Sequence, residues 1–181
     1  MTPAATAAVG SSSAGGSAAA ALPSLVEAHF LGGQPVRFDA AGAVRPERIN
    51  TVIVDEFPTL GYAIALRFVE WCAAHPGGVV SLPTGKTPEH FINHTTRILS
   101  RWEDPAVQSE LASVGIDPTC KPDMRSLRFV QMDEFFPMSD LQANSFAAYV
   151  RQHYIDGFGL DAAKALVMDE PFKIFASTPV A

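Results

Sequence analysis

Val79-Val80-Ser81-Leu82-Pro83-Thr84-Gly85-Lys86-Thr87-Pro88 is the stretch on which the fold turns. Val79 to Leu82 is a short apolar run suited to a buried strand. It stops at a polar turn built around Gly85. Pro88 presets φ for a first helical turn, and the apolar spacing predicts a helix from about Thr87 to Arg101. A second stretch repeats this grammar. Leu127-Arg128-Phe129-Val130-Gln131-Met132 reads as a strand that ends abruptly on Asp133-Glu134.

Upstream, Thr51-Val52-Ile53-Val54 predicts an earlier buried strand. Pro58 opens a helix that Thr59 to Ala74 continues, closed by Pro76-Gly77-Gly78. Leu60, Ile64, Phe68, Trp71 and Cys72 cover most of that helix, leaving Arg67 and Glu70 on one side, so heavy packing is expected. Pro105 to Val114 predicts a further helix. Asn144 reads as the cap of another, in which Phe146, Val150, His153 and Tyr154 repeat at helical spacing through Asp156. Ala165 to Met168 is a last strand. Strands alternating with helices imply a parallel α/β sheet flanked by helices, with right-handed connections. No internal repeat is evident.

The chain has 181 residues, 48% of them apolar and 18% charged, which suits one domain rather than two large ones. Residues 1–24 are almost wholly Ala, Gly, Ser and Thr, too poor in large side chains to offset the entropy of ordering, so a disordered tail is expected there and one domain over 25–181. The first basic residue is Arg37, so a secretory signal is not indicated. Cys72 and Cys120 are the two cysteines; they give no disulfide framework and are expected to be buried free thiols in a reducing, cytoplasmic setting. A net charge of −6 argues against a nucleic-acid or anionic-membrane surface. No apolar run approaches the ~18 residues of a membrane span.

In open parallel sheets ligands sit beyond the carboxyl ends of the strands, where both polar stretches lie. Gly85 lets a ligand approach the backbone, Thr84 and Thr87 offer hydroxyls, Lys86 a charge, and the amides at the helix start suit a phosphate. Gly85-Lys86-Thr87 matches the end of a Walker A loop, but the first glycine of that motif is missing. Alone, the stretch better fits an ordinary β–α turn. Asp133 and Glu134 alone better fit a cap and a solvated carboxylate; in a closed site one of them would have a raised pKa and act as a base. An anion cradle beside a carboxylate is what proton abstraction on a sugar phosphate requires, and the combination points there.

These residues resemble the glucosamine-6-phosphate deaminase/isomerase family, whose superfamily includes 6-phosphogluconolactonase. The resemblance rests on Ser81 to Pro88, on Phe129-Val130-Gln131-Met132-Asp133-Glu134-Phe135, and on Asn144-Ser145-Phe146-Ala147-Ala148-Tyr149. It runs from about Val52 to Met168. It implies a Rossmann-like fold and conversion of glucosamine 6-phosphate to fructose 6-phosphate and ammonia, without metal or organic cofactor. Asp133 matches the family's base. Thr84, Gly85, Lys86 and Thr87 fall where the family binds substrate, and Glu134 takes a supporting role. A homo-oligomer is compatible with this reading. Lys86 replaces a small residue usual in the family, and the segment from Arg101 to Ser126 is longer than usual. The family's Gly-x-Gly-x-Asp-Gly-His run, which supplies ring-opening residues, is not found before Ala181. The resemblance therefore implies the amino-terminal part of the fold, a sheet truncated at its C-terminal side with an exposed edge and exposed apolar helix faces.

Two other readings remain open. A lactonase-like hydrolase would tend to carry an Arg after its Asp-Glu, where Phe135 stands here. A non-catalytic sugar-phosphate-binding module would need the loop but not the base. His90 and His94 are one helical turn apart but lack the Glu and third ligand of a zinc site, and are expected to be packing or surface histidines. His153 is expected at the edge of the core.

Overall fold

The computed structural model describes residues 24–32, 41, 51–135, 137–139 and 142–168. The expected disordered tail, apart from Ser24, and the chain after Met168 lie outside them. Ser24 itself is a helix cap, its Oγ accepting the Glu27 amide at 3.0 Å. It opens α1, Leu25–Leu31, a helix not predicted from the sequence. Glu70 clamps this helix start by accepting from Ser24 Oγ at 2.6 Å and from the Leu25 amide at 2.7 Å. Arg67 adds an ion pair to Glu27 at 2.7 Å.

Helix α2, Phe57–Ala74, carries Pro58 in its first turn, as its sequence signal predicts. Its buried stripe is not the expected one. Gly61, Ala65, Leu66, Val69 and Cys72 are buried, whereas Leu60 and Ile64 are exposed. The reason is close helix packing: a Cβ at Gly61 would lie 2.5 Å from His90 Cβ and 2.7 Å from the Phe91 amide nitrogen. Small residues let the helix carrying His90 and Phe91 come near, and the large residues beside them turn elsewhere. Leu60, Ile64, Phe68 and Trp71 instead join Val26, Phe30, Val52 and Val54 around an open cavity of about 420 Å³. Thr51–Val54 is thus not a strand; Val52 and Val54 face this cavity, and β-branched residues fit such a half-buried surface without joining a ladder.

Strand β1 is Val79–Val80, followed by α3, Glu89–Ser100, and α4, Pro105–Ser113, which Asp104 caps through the Ala106 amide. Strand β2 is Arg128–Val130, helix α5 is Phe146–Val150, and strand β3 is Ala165–Leu166. The three strands form a parallel sheet in the order β1-β2-β3, with Val80 opposite Phe129 and Phe129 opposite Ala165. This is the expected α/β architecture in miniature: each strand is shorter than its apolar run. Val79 and Leu166 on the two flanking strands are exposed, as are Phe57 and Ile64 on α2. Leu66, Val69, Ile98, Trp102, Leu111, Leu127, Phe129, Val150 and Tyr154 form the core. Trp102 satisfies its indole N–H on the Pro118 carbonyl at 2.7 Å.

Cys72 is buried, and burial pushes its thiol pKa up to about 12. Cys120 is exposed, against expectation, because it sits in a polar turn where its Sγ lies 3.3 Å from Asp117 Oδ2. No helix among the described residues is long and apolar enough to cross a membrane.

Candidate functional site

Because β1 and β2 are parallel neighbours, the chain leaves both at the same edge of the sheet. The 81–88 loop and the 131–135 segment therefore share a rim. Gly85 has φ +90°, a left-handed conformation that a side chain resists, while no atom crowds the space its Cβ would take. The glycine is there for backbone conformation, not for close packing inside the protein. Thr84 is half-buried, and Gly85, Lys86 and Thr87 are exposed.

Three of the loop's carbonyls are taken up. Tyr154 donates its hydroxyl to the Pro83 carbonyl, Tyr149 donates to the Gly85 carbonyl at 2.8 Å, and the Glu89 amide donates to Lys86 at 3.2 Å. The amide N–H groups of Thr84, Gly85, Lys86 and Thr87 have no acceptor among the described residues. A run of unengaged, exposed donors of this kind suits an anion.

The second segment is anchored by Gln131, which is buried. Its Nε2 donates to the Asp133 carbonyl at 2.8 Å, and its Oε1 accepts the Met168 amide at 2.8 Å. The end of β2 is thereby tied to the chain leaving β3. Asp133 is exposed, and its carboxylate makes no hydrogen bond or ion pair to the described residues. Glu134 is engaged instead. It accepts the amides of Phe146 at 3.1 Å, Ala147 at 2.8 Å and Phe135 at 3.0 Å. Burial alone would raise its pKa, but these backbone donors outweigh it and the net shift is downward. A raised pKa, expected for one carboxyl of the pair, is therefore not a property of Glu134. Its position at the start of α5 favours the ionised form.

Ser145, not Asn144, is the N-cap of α5, with its Oγ accepting the Ala148 amide at 2.9 Å. Asn144 is exposed, one residue before that cap. Past Val150 the helix widens into π-type turns over Arg151–Asp156. One element thus touches both segments: Glu134 holds the start of α5, and Tyr149 on α5 holds Gly85. The two tyrosines and Gln131 escape a sequence reading. The available signal is a tyrosine at a core helical position, whose hydroxyl must find a partner.

The other candidates have packing roles. His90 lies against Gly61, and the His94 ring meets Tyr62 edge-on at 5.3 Å. Burial, then the nearby Arg97, push the His94 pKa down. His153 is half-buried with its ring 4.4 Å from that of Tyr149.

No family model matches this chain, and no curated protein matches it. Among solved structures it is similar to a monomeric glucosamine-6-phosphate deaminase described as a missing link of the NagB superfamily. The identity is 17% and the TM-score 0.47. The match covers 64% of this chain, which spans 41% of that one.

Proposed function

We propose that the shared rim is a sugar-phosphate site of the aldose–ketose isomerase/deaminase type, acting on glucosamine 6-phosphate. The observation that carries the reading is the juxtaposition of free loop amides and an unengaged carboxylate at the ends of adjacent parallel strands. The amides of residues 84–87, with Lys86 and the Thr84 and Thr87 hydroxyls, hold the phosphate. That fixes the sugar chain against Asp133.

Asp133 then takes the proton from C2 of the open-chain sugar. The C2–H electron pair moves into a C1–C2 double bond, and the aldehyde oxygen takes a proton from solvent to become a hydroxyl. Asp133 returns its proton to C1 as the nitrogen lone pair closes a C2=N bond and one N–H proton returns to solvent, leaving an imine at C2. Water adds to that carbon and ammonia departs, giving fructose 6-phosphate; one water is consumed for each ammonia released. Glu134 does not move protons in this scheme. It fixes α5, and through α5 the loop.

The test is to incubate the protein with glucosamine 6-phosphate and follow ammonia, with Asp133→Asn as control. Release that falls at least a hundredfold in the variant supports the assignment, since a positioned base contributes about 10²–10⁴. Release that the substitution leaves unchanged removes Asp133 as the base. Thermal stabilisation by the sugar phosphate without turnover would instead mark a binding module.

A further inference from the structure

Tyr149 and Tyr154 both donate hydroxyl hydrogens to carbonyls of one short loop, at Gly85 and Pro83. On a regular α-helix, residues five apart point roughly 140° away from each other, and two such side chains would not serve one loop. Here the path from Tyr149 to Tyr154 runs from the end of α5 into the π-type turns of Arg151–Asp156, where hydrogen bonds close over five residues and positions five apart return toward one side. The rings accordingly lie 6.0 Å apart.

A trans peptide unit points its C=O and N–H in opposite directions. Holding the Gly85 carbonyl toward Tyr149 turns the Lys86 amide the other way. Holding the Pro83 carbonyl toward Tyr154 does the same for the Thr84 amide. These are two of the four loop amides without an acceptor among the described residues. We propose that Tyr149 and Tyr154 are positioning residues, set side by side by the widened helix, that aim the Lys86 and Thr84 amides at a phosphate monoester. This rests on the sugar-phosphate reading above for the ligand, but the aiming itself is a property of the free protein. Burial raises the pKa of both phenols, with Glu89 adding to the effect at Tyr149, so both remain donors at neutral pH.

The test uses Tyr149→Phe and Tyr154→Phe, which keep the rings and remove the hydroxyls. In the free protein, Tyr149→Phe should displace the Lys86 amide resonance and Tyr154→Phe the Thr84 resonance, each more than the other loop amides. On titration with glucosamine 6-phosphate, Tyr149→Phe should weaken binding at least fivefold, raising KM rather than lowering kcat, with the thermal midpoint within a few degrees of wild type. Tyr154 is fully buried, so Tyr149→Phe, on a half-buried side chain, is the variant that decides if Tyr154→Phe folds poorly. Unchanged amide resonances overturn the inference, as does binding by Tyr149→Phe as tight as wild type. If wild type binds no sugar phosphate, the reading of the site fails, and the free-protein resonances still decide whether the tyrosines aim the amides.

Discussion

Glu134 and Ala147 are 13 residues apart and joined by a 2.8 Å hydrogen bond from the Ala147 amide to the carboxylate. With the Phe146 amide on the other carboxylate oxygen, Glu134 is an anion seated on a helix start. Glu134→Gln keeps the shape but loses the charge, and should cost about 1 kcal/mol. The sign with pH follows from the lowered folded pKa. The stabilisation is fully present above the ordinary glutamate value of 4.5 and is lost as pH falls through the lower folded value. Thermal midpoints of wild type and variant, measured from pH 7 to pH 3, should differ most above pH ~5 and converge in acid. A gap that stays constant to pH 3 would mean that the carboxylate charge contributes nothing.

Gly61 presents two opposed effects. Alanine is favoured over glycine inside a helix by about 1 kcal/mol. The added Cβ, however, would meet His90 Cβ at 2.5 Å and the Phe91 nitrogen at 2.7 Å. The second neighbour is backbone, which cannot step aside as a flexible side chain would. Overpacking of this kind costs about 1–3 kcal/mol, so Gly61→Ala should destabilise. Urea unfolding checks it; a more stable variant would show that α2 and α3 have room to separate.

Thr95 is fully buried in α3, and its hydroxyl has no partner among the described residues. Thr95→Val replaces an unmet polar group with a methyl of similar size. The unmet hydroxyl costs about 1–3 kcal/mol, so the variant should be at least as stable as wild type. A loss above about 1 kcal/mol in the same unfolding assay would reveal a hydrogen bond to this hydroxyl.

What the sequence makes legible is what local chemistry decides. Pro58 and Pro105 mark helix starts because they act on their own turn. Val79–Val80 and Arg128–Val130 announce a parallel sheet, with polar residues where the strands stop. What stays hidden depends on contacts between distant residues. Ser24 looks like the end of a featureless tail until Glu70, 46 residues on, is seen to hold it. Thr51–Val54 has strand propensity, but Val52 and Val54 line a cavity with residues of α1 and α2. The packed stripe of α2 runs through Gly61 and Ala65, residues that a search for large apolar side chains passes over. The loop amides are legible as a candidate anion cradle; the tyrosines that aim them become visible only when their hydroxyls are seen on the Pro83 and Gly85 carbonyls.

Gly85 and Asp133 should fail differently when altered. Gly85→Ala must force a side chain into φ +90° in a position with ample space, so the penalty is conformational, about 1–2 kcal/mol, and falls on the loop. If the loop binds phosphate equally in ground and transition states, KM rises and kcat holds. Asp133→Asn leaves the loop intact, so binding of glucosamine 6-phosphate should persist while turnover falls. Steady-state ammonia release, paired with direct binding measurements, separates the two. Should Gly85→Ala lower kcat and leave KM unchanged, the loop would be acting on the reacting carbons, and the division between phosphate cradle and base would have to be redrawn.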